Sequence, residues 1–62
     1  SDERFYAAEL HRLRGEALLA TGHDHAEVAR CFETAVEIAR HQGALALERR
    51  ALRSLDKVRN AE

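Results

Sequence analysis

His23, Asp24 and His25 place two imidazoles and a carboxylate at consecutive positions, and a His-x-His pair can bind a transition metal through its ring nitrogens. The aspartate has a competing use, because a helical pattern begins directly after it and Asp is among the best N-cap residues. No further ligand stands at a spacing that would complete a coordination sphere, so neither a metal site nor a cofactor is expected. Cys31 is the only cysteine, which excludes an internal disulfide and every zinc-finger spacing. A nucleophilic role would need a histidine within hydrogen-bond reach and a polarised setting. Helical register gives Cys31 only Glu27 as a neighbour and puts it at the margin of an apolar arc, where a small buried hydrophobe is the better description. Glu9, Glu16, Glu33 and Glu37 supply carboxylates for acid–base chemistry, yet a chain this short offers no desolvated cleft to raise the pKa of one of them. His11 and His41 read as helix-surface or boundary residues. With no phosphate-binding loop, no Ser-His-Asp set and no glycine fingerprint, catalysis is not expected.

The elements that would position these groups are helices. The 62 residues are 45% hydrophobic, with no proline, three glycines and 5% aromatic residues, which points to an all-α chain of one domain. The organising stretch is Asp24 to Arg40. Val28, Phe32, Ala35 and Ala39 recur at spacings of four and three. Ala29 and Val36 widen the seam on one side, and Cys31 and Ile38 on the other. A helix with so broad an apolar arc needs two neighbours. Asp24 with Glu27 three residues on has the capping-box pattern, and Gly43 suits the left-handed position after the last turn.

Three antiparallel helices follow, over about 2–20, 24–41 and 44–59. Ser1, with Asp2 and Glu3 behind it, has the form of a helix start, Gly22 is the C′ residue of the first turn, and residues 60–62 should fray. The first helix carries two apolar lines. Tyr6, Leu10, Leu13, Ala17 and Ala20 form the richer one, expected to be the buried seam. Phe5, Ala8, Arg12, Gly15 and Leu19 lie nearly opposite. Gly15 costs up to about 1 kcal/mol relative to alanine inside a helix, which suggests close approach by some neighbour. The second line, Phe5, Ala8, Gly15 and Leu19, is either a few apolar residues exposed by chance, as on any surface, or a second packing surface, and on the latter reading it is a candidate protein interface. The third helix should bury Ala44, Leu47, Ala51, Leu55 and Val58, with Leu45 and Leu52 flanking. Leu45, Leu47 and Leu52 are the candidate interface residues on that helix.

The net charge is −1, with both signs interspersed, and gives no field for nucleic acid or an anionic membrane surface. Arg49, Arg50, Arg53 and Lys57 are concentrated on the third helix, but Glu48 and Asp56 interrupt them and no aromatic residues accompany them for base stacking. No apolar run approaches the roughly 20 residues of a membrane span, and no signal-peptide pattern begins the sequence. A cytoplasmic setting is expected.

Leu10 to Gly22, LHRLRGEALLATG, and Ala26 to Arg40, AEVARCFETAVEIAR, resemble a tetratricopeptide repeat followed by the first half of the next. Gly15 resembles the small residue of the repeat's first helix and Gly22 its turn glycine. Phe32 resembles the aromatic of its second helix, and Ala35 the small residue that follows. The stretch extending to ARHQGALALERRALRSL resembles the repeat arrays of large bacterial signalling regulators, those with NTPase modules and cyclase-like or LuxR-type output domains. The resemblance implies a non-catalytic scaffold or regulatory segment in signal transduction that presents helix faces to a protein partner or to neighbouring helical repeats. A homodimerising structural module is the alternative, with small-ligand or metal binding third.

Overall fold

In the computed structural model, which describes residues 2–60, α1 spans Asp2–Ala20, α2 His25–His41 and α3 Leu45–Asn60. The cap expected at Ser1 and the fraying expected at 61–62 lie outside these residues; Asn60 is helical. The side chains of residues 2–4 are likewise outside the description. The helices run alternately up and down. α2 lies in the middle, packed on both neighbours, while α1 and α3 touch along a narrower seam. The assembly is a flattened layer of 34 × 18 × 13 Å. Among the described residues no helix is long and apolar enough to cross a membrane.

Both reversals are built in the same way. Gly22 (φ 79°) and Gly43 (φ 69°) occupy the left-handed region that glycine enters without steric cost. The N–H of His23 reaches the carbonyl of Leu18 at 3.0 Å and that of Gly22 reaches Leu19 at 3.2 Å. Ala44 to Ala39 (2.9 Å) and Gly43 to Arg40 (3.1 Å) repeat the pattern. These paired bonds are Schellman caps, which satisfy carbonyls that a helix end would otherwise leave open. At the start of α2, Asp24 accepts the N–H of Ala26 at 3.3 Å. The carboxylate thus caps one residue earlier than the N3 position of the capping box, where Glu27 stands.

The broad arc of α2 is buried as its composition requires. Val28, Phe32, Ala35 and Ala39 have no exposed surface, and Val36 is buried beside them. Val28 and Phe32 join Leu55 and Val58 of α3 in one cluster, against which Leu18, Leu19 and Ala29 pack. Ala35, Val36 and Ala51 form a second, with Leu52 against it. α3 buries the seam its spacing marks, Ala51, Leu55 and Val58, with Ala44 and Leu47 half-buried.

α1 is where the structure departs from the expectation. The richer line is outside: Tyr6, Leu10 and Leu13 are 66%, 50% and 53% exposed, and Ala17 and Ala20 are exposed with them. The sparser line faces α2, with Ala8 and Gly15 buried and Arg12 and Leu19 half-buried. The reason is approach distance. Phe32 projects from α2 towards Gly15 so closely that a Cβ there would lie 2.6 Å from Cε1 and 2.9 Å from Cδ1 of the ring. Only the face lined by Ala8 and Gly15 admits the ring; the Leu10–Leu13 face would hold the helices apart.

Candidate functional site

The rotation of α1 is held by a polar seam as well as by Phe32. Arg12, at the edge of the packed face, makes a two-pronged bond to Glu9, Nε to Oε2 and Nη2 to Oε1, both at 3.1 Å. It also approaches Glu16 at 3.6 Å. The acids then reach across to α3. Glu9 accepts from Arg50 at 3.0 Å; Glu16 accepts from the hydroxyl of Ser54 at 3.0 Å and lies 3.9 Å from Lys57. Ser54 is itself buried, so its donor needs this acceptor. The hydrogen bond from Arg12 holds the Glu9 carboxyl below the usual carboxylate range against the opposing effect of its partial burial. The same bond raises Arg12 further above its ordinary value. The outer ends of the seam, Arg50 and Lys57, are more than half exposed, and pairs of that kind contribute only tenths of a kcal/mol each. The seam's effect is on direction: it ties the acidic edge of α1 to α3.

With α1 so oriented, Tyr6, Leu10, Leu13, Ala17 and Ala20 form a continuous outward strip. At 100° per residue they fall within an arc of about 80°, centred roughly 140° from the packed face. Glu9 and Glu16 border the strip on the α3 side, and Arg14 borders it on the α2 side. Scattered exposed apolar residues are ordinary on any surface; a row of them in one register over four turns is not.

The seven candidate interface residues are divided by the structure. Phe5 and Leu45 are exposed, at 46% and 55%. Ala8 and Gly15 are inside, and Leu19 packs on the Val28–Phe32 cluster, so this line serves the internal contact with α2 and is closed to an outside protein. Leu52 packs on Ala35, Val36 and Ala51, and Leu47 is half-buried. Neither the outward strip nor the Arg12 seam is marked as an interface by spacing. The strip's higher apolar content makes it read as core. The seam had a signal: an arginine among small residues with glutamates three before and four after it, the spacing of helical ion pairs.

Two shallow grooves flank α2. One, of ≈ 310 Å³, is lined by His11, Arg14, Leu18, Arg30 and Cys31 among others. Cys31 is half-buried there with a free thiol, and no hydrogen bond joins it to His11. The other, of ≈ 380 Å³, runs between α2 and α3 past Val36, Leu52 and Leu55. Glu33 and Arg59 pair at 3.2 Å beside it. Both are open troughs. His23 turns back onto Thr21, Nδ1 to Oγ1 at 2.8 Å, and His25 begins α2. Among the described residues no three of His, Cys, Asp and Glu gather as a ligand set.

The architecture defined by these contacts is an all-α, three-helix layer whose middle helix carries one broad apolar arc packed against both neighbours. Comparison of the chain with protein-family models, with curated proteins and with solved structures gives no match.

Proposed function

We propose that the chain is a non-catalytic helical interaction module that binds a protein through the outer face of α1. The observation carrying this reading is the exposed row Tyr6, Leu10, Leu13, Ala17 and Ala20 on a helix whose opposite face is already packed. Burying apolar surface is favourable by about 25 cal/mol per Å², and the 3–4 spacing is what a second helix would occupy. The layer of alternating helices is compatible with the tetratricopeptide-like resemblance. Under it the partner is a neighbouring helical repeat or a signalling protein, and the module a scaffold or regulatory segment.

The test is a photo-crosslinking amino acid placed at Leu10, with Arg53 on the outside of α3 as the control position. Adducts with protein, formed at Leu10 and lost when Leu13→Glu is added, support the reading. No protein adduct from Leu10 under any condition overturns it.

A further inference from the structure

The order of side-chain sizes along the outer face of α1 identifies what fits it. The bulky residues Tyr6 and Leu10 occupy the N-terminal half, the small Ala17 and Ala20 the C-terminal half, with Leu13 between them. From Tyr6 to Ala17 the row matches itself when reversed. Laid antiparallel, two copies set Tyr6 opposite Ala17 and Leu10 opposite Leu13, each contact occurring twice. Tyr6 then meets the small Ala17 while Leu10 meets Leu13, so the combined bulk of each pair varies less along the contact than in a parallel pair. Laid parallel, Tyr6 would meet Tyr6 and Ala17 would meet Ala17, leaving the contact wide at one end and tight at the other. We infer that the partner for this face is a second copy of the chain, joined α1 to α1 in an antiparallel pair about a two-fold axis. The inference rests on the proposed protein-binding role of the strip and names its occupant.

Self-complementarity of one patch is the defining property of a two-fold interface. Charge does not oppose it. The antiparallel alignment brings Glu9 and Glu16 of the two copies near one another, but each copy already pairs them with Arg12, Arg50 and Lys57, so the edge that approaches carries neutralised acids. On the other edge Arg14, which has no ion-pair partner among the described residues, faces Ala7, and its methylene stem can lie over that methyl group. The strip from Tyr6 to Ala20 is about 21 Å long, and a strip of that length covers less than the roughly 800 Å² per partner of a standard interface. The dissociation constant should therefore be on the order of 10 µM.

The experiment is light scattering with sedimentation velocity on the 62-residue chain from about 1 to about 300 µM, a range bracketing that constant. A monomer giving way to a dimer is expected. Leu10→Glu combined with Leu13→Glu should weaken association by about 100-fold or more, because two carboxylates would be buried without partners, while circular dichroism retains the helical signal. Orientation is read in a Cys31→Ala background by mild oxidation. Tyr6→Cys chains mixed with Ala17→Cys chains should form the mixed disulfide, and Tyr6→Cys alone should not crosslink to itself. A monomer at every concentration, or a dimer indifferent to the glutamates, overturns the inference. Preferential Tyr6→Cys self-crosslinking overturns the antiparallel alignment. Adducts from Leu10 to a different protein, with the chain itself monomeric, would leave the protein-binding role standing and remove only the second copy. No adduct at all would remove both.

Discussion

Gly15 of α1 and Phe32 of α2 are in contact so close that a methyl group on the glycine would fall 2.6 Å from the ring. This contact explains a glycine in the interior of a 19-residue helix and determines which way α1 is turned. Everything presented to solvent by α1 follows from it, because the face given to Phe32 is the face withheld from partners.

Gly15→Ala separates two effects of opposite sign. Helix propensity alone favours alanine by up to about 1 kcal/mol, whereas crowding a ring that has no exposed surface costs about 1–3 kcal/mol. Crowding should win, giving a net loss in urea unfolding. Adding Phe32→Leu should recover part of it, the coupling expected of residues in contact. A Gly15→Ala chain more stable than the parent would show that the ring has room to move.

Phe32→Ala removes the largest fully buried side chain and should cost about 3–5 kcal/mol. A domain this small buries only about 60% of its unfolded surface, so most of its stability would be lost. Circular dichroism at 25 °C is expected to show an unfolded or partly folded chain. A loss below about 1 kcal/mol would contradict the packing of α2.

Leu19→Glu and Leu10→Glu should behave in opposite ways although both put a carboxylate on α1. Leu19 packs on Val28, Phe32, Leu55 and Val58, so its replacement buries a charge and should unfold the domain. Leu10 is half exposed, and its replacement should change monomer stability by no more than about 0.5 kcal/mol. Thermal melts at low micromolar concentration distinguish them. Equal losses would mean that the two faces of α1 have been interchanged.

Acid should weaken the seam between α1 and α3. The Glu9 carboxyl lies below its ordinary value of 4.5 because Arg12 donates to it. The folded state therefore gains stability above the unfolded value, and loses it as pH falls through the lowered folded value. Urea midpoints should drop as the pH falls through and below 4.5, and Glu9→Gln should make that drop shallower. An identical pH profile for Glu9→Gln would show that the pairing contributes nothing to folding.

Helix positions and both turns could be read from residue order because each rests on local physics. Gly22 and Gly43 adopt positive φ and Asp24 caps, as their types favour. α2 has a single apolar arc, so Val28, Phe32, Ala35 and Ala39 had only one way to be buried; Ala51, Leu55 and Val58 follow the same logic on α3. The candidate interface was not legible in this way. Ala8 and Gly15 mark a face that some helix can approach closely, and whether that helix is α2 or a partner's depends on what α2 places against them.

For this protein, residue order alone determined three helices, their reversals and the burial of α2 between its neighbours, since spacing and turn chemistry act over a few residues. Tertiary structure alone decided which side of α1 is hidden. Periodicity measures how much apolar surface a face carries, and by that measure the Leu10–Leu13 face should be inside. Packing depends on how near two backbones can come, and there the ring of Phe32 selects the smaller residues, Arg12 is held by Glu9 and Glu16, and the larger apolar face is left to solvent.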